Sequence, residues 1–203
     1  MPFEENLYHN LPGVLTGHLL YYIQLNAEIT RKVMQNDKPA SLSNPYPFGD
    51  KHVPKSFSAY GPIWSESMLI MFLPIVERIS GKSLKPTYSY TRTYYNGSDL
   101  KPHIDRGACE YSVTICIKKG NCEWPIFFKH RKGNLTELNM NDGDAVIYKG
   151  QELLHWRKEY HGDEHTQVFL HYVDIDNPNA DMLAYDGRHM HQTLELKEIS
   201  NAS

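Results

Sequence analysis

Apolar positions fall into two regimes along the chain. From Thr16 to Met34 the residues Leu19, Leu20, Ile23, Ala27 and Val33 recur near helical spacing. A second helical run follows Ser65-Glu66-Ser67, with Met68, Leu69, Phe72, Ile75, Val76 and Ile79 on one stripe. Ser65 is the candidate N-cap of that helix and Gly81 its candidate C-cap. Pro74 is expected to kink it or to start a second piece. Between the two runs, Asn36 to Pro62 is rich in Pro, Ser, Asn and Gly and predicts a long ordered loop or a lid, with Tyr46, Phe48, Phe57 and Tyr60 available to cover a site.

After Lys85 the period drops to two. Thr87 to Tyr95, Ser112 to Lys118, Asp144 to Tyr148 and Gln167 to Tyr172 alternate and are dense in β-branched and aromatic residues. Turn signals separate them at Asn96-Gly97, Lys119-Gly120-Asn121, Lys132-Gly133-Asn134, Asn141-Asp142-Gly143 and His161-Gly162-Asp163. Many short punctuated strands after two helices predict an α+β, mainly β architecture: a barrel or sandwich with N-terminal helices packed on one side. The expected division is a single domain, with residues 1–85 as helical and loop support, 86–175 as the barrel core and 176–203 as a C-terminal tail that wraps the surface.

Composition narrows the class. The chain has 203 residues, 40% apolar and 22% charged, which describes a globular protein. A net charge of -3 gives no electrostatic reason to expect nucleic acid as a partner. Cys109, Cys116 and Cys122 make an odd set without a C-x-x-C pair, so buried thiols in a reducing compartment are expected rather than disulfides or a zinc site. The N-terminal MPFEENLYHNLPG has no apolar core of a signal peptide, and no run nears the roughly 18 apolar residues of a membrane span. A cytoplasmic protein is expected.

The chemistry concentrates in Lys101-Pro102-His103-Ile104-Asp105-Arg106. Residues two apart on a strand share a face, so His103 and Asp105 project together into the barrel if Ile104 faces outward. His155, directly after the GDAVIY strand, is the candidate third ligand. Two imidazoles and one carboxylate on one face of a metal leave positions open, as in non-haem iron(II) oxygenases. The other histidines offer no better set: Gly162 and Asp163 put a turn between His161 and His165, and His189 and His191 lie in the tail, where solvent exposure is expected.

The pieces TYYNGSDLKPHIDR, YSVTICI, WPIFF, GDAVIYKGQELLHWR and QVFLHYVD, spread from Tyr88 to Val173, resemble the 2-oxoglutarate- and iron(II)-dependent dioxygenases, in particular the prolyl-4-hydroxylase-like branch. The HWR and QVFLHY phrasing is that of short bacterial and phage-type members. The resemblance implies a double-stranded β-helix (jelly-roll, cupin-like) fold, with His103, Asp105 and His155 as iron ligands and Tyr94 near the cosubstrate. It also implies Fe(II), 2-oxoglutarate and O2 as cofactor and cosubstrates, with ascorbate as an auxiliary reductant. The implied reaction is hydroxylation of an unactivated C–H coupled to decarboxylation of 2-oxoglutarate to succinate and CO2. Related halogenases lack the carboxylate, so Asp105 implies hydroxylation.

The substrate is a small molecule or a peptide; peptidyl proline is the reading by analogy. The rivals are a cupin-like metal enzyme that does not use 2-oxoglutarate and a non-catalytic ligand-binding barrel.

The chain departs from this pattern at the anchor for the distal carboxylate of 2-oxoglutarate. The family's Arg or Lys, nine or ten residues after the distal His, is replaced by Glu164 and His165. Three substitutes remain: Arg157, which shares a face with His155 if the strand continues; Lys118, on the parity of Ser112, Thr114 and Cys116; and His165, if protonated. Arg157 is favoured for its bidentate fork. Gln167 is placed on the pocket wall by parity with Phe169 and His171, Arg106 is a candidate to orient Asp105, Trp124-Pro125 is expected to pack the barrel mouth, and Asp144 is expected to be a turn residue.

Overall fold

In the computed structural model, which describes residues 3–130 and 133–188, the strands pair into two antiparallel sheets. The elements are α1 (Phe3–Asn6), β1 (Tyr8–Leu11), α2 (Gly17–Asp37), β2 (Ser56–Tyr60), α3 (Ile63–Ser80), β3 (Leu84–Tyr95), β4 (Leu100–His103), β5 (Tyr111–Lys118), β6 (Ile126–Lys129), β7 (Leu135–Leu138), β8 (Ala145–Lys149), β9 (Leu154–Arg157), β10 (Glu164–Asp174) and α4 (Ala180–Leu183), then a 3-10 turn at Ala184–Gly187. The larger sheet runs β1-β8-β5-β10-β3-β2 and the smaller β4-β9-β6-β7. The helices cover one face of the larger sheet, and the smaller sheet faces the other. This is the expected mainly β architecture with helices on one side.

The strand β5 shows why. Its first seven residues are all buried, because both faces are covered. Val113, Ile115 and Ile117 join Val168, Leu170, Tyr172 and Ile147 against Met68, Leu69, Phe72 and Val76 of α3. On the opposite parity, Cys116 packs with Val146, Tyr148, Ile126, Phe128 and Leu153 between the sheets. Ser112 and Thr114 share that parity and put hydroxyls into the interior, where the site lies.

Several local expectations are revised. The helix α3 is capped at Pro62, one turn before Ser65. Ser65 lies inside the first turn, where its buried hydroxyl donates to Pro62 O (2.9 Å) and meets Ser89 Oγ (2.7 Å). Gly81 does end the helix in the left-handed region (φ 69°). Pro74 does not split α3, which runs on from Ile63 to Ser80 although Ile70 O loses the N–H that residue 74 would have supplied. The end of the expected loop, Ser56–Tyr60, is instead an edge strand paired with β3. In α2, Ile23 is buried, whereas Leu19, Ile29 and Val33 stay 45%, 59% and 55% exposed, so the helical period was right but its apolar face is only half used. Asp144 is a turn residue as expected, accepting from Gly13 N and Asn141 N. Cys109, Cys116 and Cys122 are free thiols. Among the described residues no helix is long and apolar enough to cross a membrane.

The asymmetry between α2 and α3 is testable. Phe72→Ala should destabilise the protein by about 3–5 kcal/mol, the cost of a large cavity in a closed core. Leu19→Ala should stay within about 0.5 kcal/mol, as exposed positions do. Urea unfolding checks both, and equal losses would mean that the apolar stripe of α2 is buried in solution.

Candidate metal centre

The antiparallel pairing of β4 with β9 places His103 directly opposite His155. Their rings lie 4.2 Å apart between centroids. Asp105 follows two residues beyond His103, just past the strand end, tied down by its N–H donating to Gly150 O (2.8 Å). Ile104 points outward and is exposed, so His103 and Asp105 share the inner side. Asp105 Oδ1 is 3.7 Å from His103 Nε2 and 3.5 Å from His155 Nε2.

The protonation pattern of this group follows from its hydrogen bonds. His103 Nδ1 lies 2.8 Å from Lys101 O and His155 Nδ1 2.9 Å from Leu153 O. A carbonyl only accepts, so each imidazole carries a proton on Nδ1 and turns Nε2, the ligand atom of its neutral form, toward Asp105. Burial, and then the neighbouring His155, lower the pKa of His103 and favour its neutral form. Burial opposes ionisation of Asp105, but its contact with His155, the nearby His171 and the hydrogen bond from Ser112 outweigh it and hold the carboxyl below its usual range. Two imidazole Nε2 atoms and one carboxylate oxygen therefore converge on one point. A divalent cation with bonds of ~2.1 Å sets neighbouring ligands about 3 Å apart, so small side-chain rotations close this set. His103, Asp105 and His155 form a group that could hold a metal ion.

The second carboxylate oxygen is also accounted for. Asp105 Oδ2 accepts from Ser112 Oγ (2.8 Å), which lies 2.9 Å from His171 Nδ1. Ser112 has one proton and spends it on Asp105, so His171 is the donor on Nδ1. Burial lowers the His171 pKa to about 4 and keeps it neutral in this role. Gly150 lies against the same group: a Cβ there would stand 2.4 Å from Asp105 Oδ2 and 2.3 Å from Cys109 O. Arg106, expected to orient Asp105, instead donates both terminal nitrogens to Asp186 (3.1 and 2.8 Å) and stacks on Tyr88.

The triad lines a cavity of about 800 Å³ whose wall includes Tyr88, Tyr90, Arg92, Tyr94, Tyr148 and Arg157. Arg157 is 3% exposed. It donates to Trp124 O, lies 3.6 Å from Met140 Sδ and stacks on the Trp124 ring. Among the described residues no carboxylate pairs with it, and burial lowers its pKa. Tyr94 is buried beside it against Trp124. Trp124, on which this end of the cavity packs, is itself pinned by its indole N–H donating to Lys158 O (2.7 Å).

The other anchor candidates sit elsewhere. The β10–β5 register shifts between Thr166 and Gln167, and Lys118 turns outward to pair with Glu164 (3.0 Å). His165 is buried behind the wall with Nδ1 on Lys119 O (2.7 Å), and burial together with the charge of Arg157 lowers its pKa to about 3. Gln167 links Thr114 to His165 and does not line the cavity. His189 and His191 lie outside the described residues.

Sequence reasoning missed Ser112, His171, Arg92 and Asp50. Only the inward parity of Ser112 and His171 on alternating strands signalled the first two.

No protein-family profile and no curated protein matches the sequence. Solved structures do match. The non-heme alpha-ketoglutarate-dependent carbocyclase SnoK from nogalamycin biosynthesis aligns at a TM-score of 0.67 and 11% identity, over 99% of this chain and 88% of that one. HygX from Streptomyces hygroscopicus, solved with nickel and 2-oxoglutarate bound, aligns at 0.60 and 11% identity over 86% and 85%. A Pseudomonas putida prolyl-4-hydroxylase aligns at 0.60 and 10% identity over 83% and 92%. At such identities the likeness is one of architecture: the chain has the fold of the 2-oxoglutarate- and iron(II)-dependent oxygenases, prolyl-4-hydroxylases among them.

Proposed function

We propose that this protein is an iron(II)- and 2-oxoglutarate-dependent oxygenase that hydroxylates a C–H bond of a small-molecule or peptidyl substrate. The observation that carries it is the pairing, in one cavity, of three converging ligand atoms with a buried guanidinium that, among the described residues, has no carboxylate of its own. His103 Nε2, His155 Nε2 and Asp105 Oδ1 would hold the iron. Bound there, iron(II) with 2-oxoglutarate and O2 would supply oxidative decarboxylation of the oxo acid coupled to C–H hydroxylation.

The chain's own residues supply position and charge. Arg157 meets the distal carboxylate of 2-oxoglutarate, since an unpaired buried cation gains most from a bidentate anion. Tyr94 lines the same end and packs edge-on against Trp124 behind it. Ser112 and His171 fix the Asp105 carboxylate so that Oδ1 faces the imidazoles. The direct test is succinate release from 2-oxoglutarate with Fe(II), inhibited competitively by N-oxalylglycine; no succinate above the metal-free control would sink the proposal.

Three outcomes follow at the residue level. His103→Ala, Asp105→Ala or His155→Ala should each abolish iron binding at micromolar metal while the circular dichroism spectrum is kept. Full iron stoichiometry in any one of them removes that ligand from the set.

Ser112→Ala should weaken metal affinity by about 10–100-fold, as loss of a carboxylate's orienting partner does. An unchanged metal titration would show that Asp105 needs no such support.

Arg157→Ala should raise the KM for 2-oxoglutarate about tenfold or more, the value of a lost charge-assisted hydrogen bond. Lys118→Ala should leave it near wild type. The wild-type KM should be flat from pH 6 to pH 9, because Arg157 stays charged and His165, held down to about 3, stays neutral throughout. A KM that climbs as pH rises through the ordinary histidine range would move the anchor to His165.

A further inference from the structure

The cavity holds a second buried cation that the oxygenase reading leaves unused. Arg92 lies on the inward face of β3, two residues before Tyr94, and is 7% exposed. Its guanidinium is fixed in place by Tyr90 and Tyr94, whose ring centroids lie 5.1 and 5.7 Å from Cζ. Its Nη2 donates to Asp50 Oδ2 and to the Tyr90 hydroxyl (2.9 Å), which in turn donates to Asp50 Oδ2 (3.2 Å). Its Nε is buried and, among the described residues, has no partner.

The missing partner has a structural cause. A free carboxylate meets a guanidinium side-on through Nε and Nη2 together, one oxygen to each. Asp50 cannot do this. Its Oδ1 already accepts from the backbone N–H groups of His52 (2.8 Å) and Val53 (2.9 Å), so only Oδ2 reaches Arg92. The internal carboxylate thus fills half of a two-pronged site. Asp50 also lines the cavity, and it comes from a stretch between α2 and β2 that has no helix or strand. Tyr88, Tyr90 and Phe169 give the adjoining wall an aromatic surface.

We propose that Arg92 and Tyr90 form the docking point for a carboxylate carried by the primary substrate, and that Asp50 occupies that place until the substrate displaces it. Calling the bound acid the substrate rests on the oxygenase reading; the docking point itself does not. Arg157 takes the anionic end of the cosubstrate, and Arg92, on the β2 side of the same cavity, takes that of the substrate.

The test uses the full chain loaded with Zn(II) and saturated with 2-oxoglutarate, titrated calorimetrically with 3-phenylpropionate and with its neutral amide, 3-phenylpropionamide. The acid should bind about tenfold or more tightly than the amide, the value of a charge-assisted contact. Asp50→Asn, which keeps the turn-capping oxygen but gives up the charge, should tighten the acid severalfold. Arg92→Gln should remove the preference for acid over amide and leave 2-oxoglutarate affinity unchanged. Equal binding of acid and amide by wild type overturns the proposal without any variant. So does weaker acid binding in Asp50→Asn, the result expected of a purely structural ion pair, or a matching loss of 2-oxoglutarate in Arg92→Gln, which would make Arg92 a cosubstrate residue. Failure of wild type to bind 2-oxoglutarate in the preliminary titration would instead strike the oxygenase reading, and the acid and amide would then be compared without it.

Discussion

The convergence of His103 Nε2, His155 Nε2 and Asp105 Oδ1 on one point is the constraint around which this molecule is arranged. Gathering two imidazoles and a carboxylate in a largely buried place costs free energy, since each gives up water there. The cost is tolerated because the surroundings give the side chains few alternatives. The β4–β9 pairing sets the two histidines opposite each other, backbone carbonyls hold both Nδ1 protons, and Ser112 holds the far side of the carboxylate. Gly150 leaves the space in which that carboxylate sits. A group held from this many directions has the arrangement that a metal site needs.

The larger sheet supplies the rigidity that this arrangement needs. Its central strands are covered on one face by α3 and on the other by the smaller sheet, so the inward residues of β3, β5, β8 and β10 are fixed by packing on their outward neighbours. Charge is then distributed along the cavity. Asp105 marks the metal end, Arg157 the Trp124 end and Arg92 the edge near β2. A chain with a net charge of -3 thus keeps two buried guanidiniums on one cavity wall, which favours anionic ligands there whatever the bulk charge.

Much of this was legible in the sequence where the governing rule is local. Two-residue periodicity identified the shared face of His103 and Asp105, and it holds even though Asp105 lies beyond the strand, where its N–H is bonded to Gly150 O. The same rule failed for Lys118, where a register shift at the strand end turns the side chain out. Adjacency misled for Arg106, whose partner Asp186 comes from the far end of the chain. Asp50 and Arg92 were invisible for the same reason: they are far apart in sequence and meet only because an irregular stretch folds back over β3. The helix start moved from Ser65 to Pro62 because Ser65 finds a tertiary partner in Ser89, which no capping preference anticipates.

The central claim is that the three side chains chelate iron with an oxo acid completing the set. Its most direct measurement is the visible absorption of the anaerobic protein loaded with Fe(II), before and after 2-oxoglutarate is added. Chelation of the oxo acid by iron in this site should produce a metal-to-ligand charge-transfer band that saturates at one equivalent of 2-oxoglutarate per bound iron. Iron that binds at His103, Asp105 and His155 yet gives no such band at saturating 2-oxoglutarate would contradict the account.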